Sequence, residues 1–173
     1  MLPLYAEWAR YQARFLERVA SLTPDELALR PGPDHWPVWA IVGHAAAARV
    51  YWVCHVFGEP GAATTPFRDP SGEGWEDHLE TPRSASELVA ALESTWRVIE
   101  ECLGRWTPTS MGETASRLIS GGRVQVHSRQ GVLVRLISHD AFHAGEIASA
   151  LTRAGAPPLD LWPPSVPAVP PAT

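Results

Sequence analysis

The segment that most restricts the fold of this chain is LVRLISHDAFHAGEIASAL, residues 133–151. Val132, Leu136, Ile147 and Ala150 recur with the helical period and define one apolar face. His139 and His143 fall on that same face, one helical turn apart and about 6 Å along the axis. Any fold that buries the stripe must bury two imidazoles side by side. An unpaired polar group in such a place costs roughly 1–3 kcal/mol, and two adjacent imidazoles cannot both be protonated cheaply there. A divalent cation resolves the conflict, because it takes neutral imidazole nitrogens as ligands. The same four-residue step carries the paired histidines of zinc proteases. The alternative is a pair of core histidines satisfied by carbonyls or carboxylates, and spacing alone leaves the two readings level.

Three more helices are legible. Leu4, Trp8, Tyr11, Phe15, Val19 and Leu22 mark the first. Thr23, Pro24 and Glu26 then form a capping box that opens a short helical turn, broken at RPGP. The second long helix is expected to start between Asp34 and Pro37, to run to Phe57, and to stop at Gly58. Its apolar run contains His44, Arg49 and His55, which argues for a buried helix rather than a membrane span. An aperiodic Gly/Pro-rich connection follows over 58–83, long enough to cross a whole bundle. The third long helix is capped by Ser84 and Glu87, carries the stripe Leu88, Leu92, Trp96, Ile99, Leu103 and Trp106, and ends at Pro108. Residues 116–128 read as two short strands around a two-residue Gly121-Gly122 turn. The fourth helix runs from Ser128 to Arg153, with Gly155 and Pro157-Pro158 as its stop.

These elements predict an all-α fold: a four-helix bundle with a small β-hairpin before the last helix, in which the long connection allows the second and third helices to run parallel. The expected organisation is one domain over 1–156 and a proline-rich tail over 157–173, extended or without fixed structure, with Leu159, Leu161 and Trp162 as tethers for its first part. Charged residues make up 19% of the chain, the net charge is −5, and all 14 cationic residues are Arg without a basic run, which speaks against nucleic acid as a partner. Cys54 and Cys102 fall in no metal or redox spacing and suit a reducing compartment. Charges from Glu7 onward exclude a signal-peptide apolar region at the N-terminus. The expectation is a cytoplasmic protein without a membrane partner.

Among the other histidines, His35, His78 and His127 lie in loops or at element ends and read as solvated. His55 follows His44 by about 16 Å along the helix, too far to share a ligand, and reads as partly buried near the helix end. His44 is embedded among Ala40, Ile41, Ala48, Tyr51 and Trp52, while Gly43, Ala45, Ala46 and Ala47 would let another helix approach closely.

A histidine midway along the second helix, in WPVWAIVGHAAAARVYW, followed far downstream by HDAFHAGEI, resembles the DinB/YfiT-like family over roughly residues 4–155. The resemblance implies a four-helix bundle with its second and third helices parallel. It implies a divalent metal, zinc or nickel, on His44, His139 and His143, and a homodimer. Two positions depart from the family pattern: Ala144 stands where many members carry Arg, and Glu146 where many carry Gln. Losing the Arg weakens the case for an anionic group bound at that position. Glu146 is placed to reach the metal, to orient a ligand or to act as a base, with surface exposure the alternative. Asp140 is the second candidate for a carboxylate behind a ligand imidazole, or else an exposed charge.

A three-histidine set leaves a coordination position open, which suits catalysis better than a closed structural site. Such an ion acidifies a coordinated water or thiol. The family resemblance therefore implies a metal-dependent enzyme acting on a small molecule, as a transferase using a low-molecular-weight thiol or, a little behind, as a hydrolase. Trp36, Trp39, Tyr51 and Trp52 are candidates for an apolar pocket, although core packing explains them equally well. The alternative is a non-catalytic metal-binding or interaction module.

Overall fold

The computed structural model describes residues 1–162. Its elements in chain order are α1 (Ala6–Ala20), a short α2 (Pro24–Ala28), α3 (Val38–Val50), α4 (Ala85–Arg105), an antiparallel hairpin of β1 (Thr114–Ile119) and β2 (Arg123–Ser128), and α5 (Arg129–Arg153). The chain is an all-α bundle of four long helices with a small hairpin before the last. Both capping boxes form: Thr23 accepts from the Glu26 amide, and Ser84 from the Glu87 amide. Ser128 caps α5 by accepting from the Gly131 amide at 3.1 Å.

Three boundaries differ from expectation. The second long helix starts at Val38, with Pro37 in extended backbone as its N-cap. That helix reaches its expected end at Gly58 (φ +68°), but its last stretch, Tyr51–Val56, is π-helical. In the hairpin, Ile119 pairs with Arg123, so the turn has three residues, Ser120–Gly122, and uses positive φ at both Gly121 and Gly122. Leu4, assigned to the first helical stripe, sits instead in an N-terminal 3₁₀ turn and is exposed.

Contacts between side chains fix the helix directions. α1 lies antiparallel to α4: Trp8 meets Trp96 edge-on at 5.0 Å, Gln12 Nε2 donates to the Leu92 carbonyl at 3.2 Å, and Ala20 lies near Ala85. α3 and α4 run parallel. Trp39, near the start of α3, shares a groove with Ser84–Ser86 at the start of α4. Glu59, just past the π-helical end, bonds Arg105 and Trp106 at the end of α4. α5 returns antiparallel, with Arg129 at Glu59 and Arg153 at the Arg30 carbonyl before α3. Parallel neighbours need a long crossover, which residues 58–83 supply.

Inside this frame lies one buried ion pair. Arg49 of α3 is completely buried, and its Nη2 donates to Asp140 Oδ2 of α5 at 3.0 Å; Trp8 Nε1 of α1 donates to the same oxygen at 2.9 Å. Three helices are tied at one oxygen. Breaking such a pair from one side costs about 3–5 kcal/mol, since it strands a buried charge.

After α5, residues 157–162 pack back on the bundle. Leu159 and Leu161 are buried, Arg14 and Arg18 donate to the Asp160 and Pro157 carbonyls, and Trp162 meets Tyr11 edge-on at 5.1 Å. The expected proline-rich tail lies, from residue 163 on, outside the described residues. Among the described residues no helix is long and apolar enough to cross a membrane.

Glu59 holds three element ends together, accepting from Arg105 at 2.9 Å, Trp106 Nε1 at 2.8 Å and Arg129 at 3.1 Å. Burial pushes its carboxyl up, but the hydrogen bonds from Arg105 and Trp106 and the nearby guanidinium charges outweigh burial and hold it below its ordinary value of 4.5. A carboxyl lowered in the folded chain adds stability above its ordinary pKa and loses it as pH falls through the lowered value. Thermal melts of the protein and Glu59→Gln should therefore differ at neutral pH and converge on acidification below about 4.5. A gap that does not change with pH would contradict the clamp.

Candidate metal centre

His44 of α3 faces His139 and His143 of α5 across the antiparallel helix pair. The Nε2 atoms of His44 and His143 each lie 3.1 Å from His139 Nε2, and all three ring nitrogens lie within 4.8 Å of one another. Nitrogens bonded to one zinc at about 2.0–2.1 Å in tetrahedral geometry stand roughly 3.3 Å apart.

What lies behind the rings decides what the front can do. Glu76 meets His44 Nδ1, and Glu146 Oε2 lies 2.7 Å from His143 Nδ1. An ionised carboxylate only accepts, so both Nδ1 atoms carry a proton, and in the neutral ring Nε2 is then the nitrogen with the lone pair. His139 Nε2 faces the two lone pairs at once and can donate to only one of them. Its own Nδ1 is buried without a partner among the described residues. Burial, reinforced by the neighbouring His143 and His44, pushes His139 down to about 3. Burial also lowers His143, against the opposing pull of Glu146. Three ring nitrogens thus converge on one point, a donor set that fits a divalent cation and is poorly satisfied by the chain alone.

Glu146 is half-buried rather than a free surface charge, and its carboxylate faces His143. Asp140 does not back an imidazole. Its side chain leaves the helix in another direction, and its carboxylate is taken by Arg49 and Trp8; it is buried, so it is not an exposed charge either. The carboxylate behind His44 is Glu76, which no sequence pattern marked. It comes from a 3₁₀ turn, Trp75–Asp77, in the aperiodic crossover. Gly43 makes room for it: a Cβ there would stand 2.9 Å from the Trp75 ring, so the loop indole seats on bare backbone and brings Glu76 to the next residue, His44. The small residues beside His44 were expected to admit a helix, and at Gly43 they admit this loop. The aromatics Phe67 and Trp75, packed at 5.1 Å, are the one feature of 58–83 that signals docking.

A cavity of about 360 Å³ opens beside His44 and His139. Tyr51 and Trp52 line it. Trp36 lies outside, half-exposed, with its ring 5.0 Å from His44, and Trp39 is core. The remaining histidines stay apart from the centre. His35 is exposed, and exposed His78 lies between Glu73 and Glu80. His55 is exposed rather than partly buried, against Tyr51. His127 is not solvated: it is part-buried in β2, 4.8 Å from Trp52, and lowered by burial and by the charges of Arg135 and Arg117.

If Glu76 and Glu146 fix the tautomers, Glu76→Ala and Glu146→Ala should each weaken zinc affinity about 10–100-fold in competition with a chromophoric chelator. Unchanged affinity in both variants would contradict that role.

Comparison with known proteins bears on the fold and the family. The solved structure of a DinB-like protein from Bacillus cereus ATCC 10987 superposes with a TM-score of 0.59 at 18% identity, covering 86% of this chain and 88% of that one, and so shares its fold. None of the curated proteins matches the chain. The family model of the DinB superfamily matches residues 7–147, which include His44, His139, His143 and the crossover that carries Glu76. The chain belongs to the DinB superfamily.

Proposed function

We propose that His44, His139 and His143 hold a divalent cation, zinc or nickel, through their Nε2 atoms, and that the protein is a cytoplasmic enzyme acting on a small molecule, with transfer from a low-molecular-weight thiol ahead of hydrolysis. The observation that carries this reading is the convergence of three ring nitrogens, with a carboxylate at the far side of two of the rings. Bound there, such an ion would acidify a thiol or water and polarise an electrophile.

The chain's own residues do the rest. Glu76 and Glu146 fix the ring orientation, the buried Arg49–Asp140 pair ties together the helices that carry the histidines, and Tyr51 and Trp52 wall the cavity. Hydrolysis is helped by a group that takes a proton from water. Of the carboxylates lining the cavity, Asp69 is held at Ser71, Glu73 at His78 and Asp77 at the Gly74 amide, while Glu76 meets His44 through one oxygen and keeps the other without a partner. The thiol would not be the protein's own: burial raises Cys54 and pushes Cys102 up to about 12, and neither lines the cavity. A second copy of the chain belongs to the same reading, supported by the exposed apolar face Leu118, Val124 and Val126 on the hairpin.

Protein purified without a histidine tag should carry close to one zinc or nickel per chain, and His139→Ala should carry almost none. An absent ion, or one retained by the variant, overturns the site. A full site with no thiol adduct and no hydrolysis across a panel of electrophiles would leave a metal-binding module.

A further inference from the structure

The cavity beside the histidines has a cationic wall that the proposed chemistry does not use. Arg117 of β1 and Arg135 of α5 both stand over the ring of Trp52, at 4.6 and 4.8 Å from its centroid, and both line the cavity together with His44 and His139. Arg135 lies one turn before His139 on α5. Arg117 is held in place. Its Nε and Nη2 donate to Gln125 Oε1 at 3.1 and 2.9 Å, and its Nη1 to the Tyr51 hydroxyl at 2.9 Å, all neutral partners. Two of its five N–H groups are left over. Arg135 makes no side-chain hydrogen bond and no ion pair among the described residues.

Two like charges gathered on one indole repel, and stacking returns only about 0.5–1 kcal/mol each at an exposed site. Elsewhere in this protein a guanidinium brought to a shared point meets a carboxylate: Arg105 and Arg129 meet Glu59, and Arg49 meets Asp140. Here none does. Of the acids that also line the cavity, Asp69, Glu73 and Asp77 are satisfied within their own loop, and Glu76 meets His44 through one oxygen. At Trp52, the spare capacity of the cavity is therefore anion-binding.

We infer that Arg117 and Arg135, set on Trp52, bind a carboxylate of the substrate or co-substrate and so aim its reacting end at the three histidines. The inference rests on the proposed metal site for the reacting end, and on the arginines alone for the charged end. A carboxylate matches the guanidinium fork, and a single negative charge suits a cavity whose other wall is acidic better than a phosphate dianion would. Arginine at position 144, whose absence weakened the case for an anion, is thus replaced by Arg135 earlier on the same helix and by Arg117 from β1.

The test uses 3-mercaptopropionate and its neutral counterpart 3-mercaptopropan-1-ol as probes, titrated into zinc-loaded and metal-free protein. The indole N–H resonance of Trp52, identified by its loss in Trp52→Phe, reports binding. The acid should bind about tenfold more tightly than the alcohol, the size of one charge-assisted hydrogen bond. The preference should vanish in the double variant Arg117→Gln/Arg135→Gln, and shrink in Arg135→Gln alone, whose exposed side chain keeps the fold safe. Equal affinities, a preference that survives the double variant, or no saturable shift with either probe would overturn the inference. Failure of the metal reading would appear separately, as zinc not retained, and would leave the carboxylate preference readable in the metal-free sample.

Discussion

Three imidazole nitrogens held face to face, two of them with no proton to offer, are the constraint around which this bundle is arranged. His139 Nε2, 3.1 Å from both neighbours, can donate to only one of them, so the three rings cannot all be satisfied by each other. Glu76 and Glu146 accept from the far side of His44 and His143. Both rings are pinned in the tautomer that a metal needs, and the third is kept neutral by burial. The energetic conflict at the front of the rings is thus built in from behind.

The rest of the fold follows from delivering those groups to one place. α3 and α5 must lie side by side and antiparallel to bring His44 against His139 and His143, and the Arg49–Asp140–Trp8 cluster ties that pair to α1. The parallel course of α3 and α4 demands a long crossover, and the crossover carries Glu76 past the middle of α3. One small residue, Gly43, admits Trp75 and so sets the crossover's closest approach. A topological need and a chemical one are met by the same segment. The wider π-helical end of α3 then places Tyr51 and Trp52 on the cavity wall, where Arg117 and Arg135 gather.

The helices were legible because their signals are local: a capping box at Ser84 and Glu87, a left-handed glycine at 58 and at 155, an apolar stripe every three or four residues. The His139–His143 pair was legible for the same reason, since one helix fixes their phase. His44 was placed opposite them only by family resemblance, as nothing local says which helix α5 will meet. Glu76 was not legible at all. Its contact with His44 spans 32 positions through a segment without periodicity, and it depends on one indole finding one glycine. Asp140 was read too readily from its adjacency to His139: neighbours on a helix point about 100° apart, and that rotation sends it to Arg49. The hairpin turn was short by one residue because cross-strand pairing, not the Gly-Gly dipeptide, sets the register. Arg117 and Arg135 looked like scattered surface charge until the fold brought both to Trp52.

The most direct measurement is anomalous diffraction at the zinc and nickel absorption edges from crystals of the tag-free protein. A single strong peak, bonded to the Nε2 atoms of His44, His139 and His143 at about 2.0–2.1 Å and open toward the Tyr51–Trp52 cavity, is the predicted result. A peak elsewhere, or three rings with no peak between them after exposure to either ion, would contradict the account.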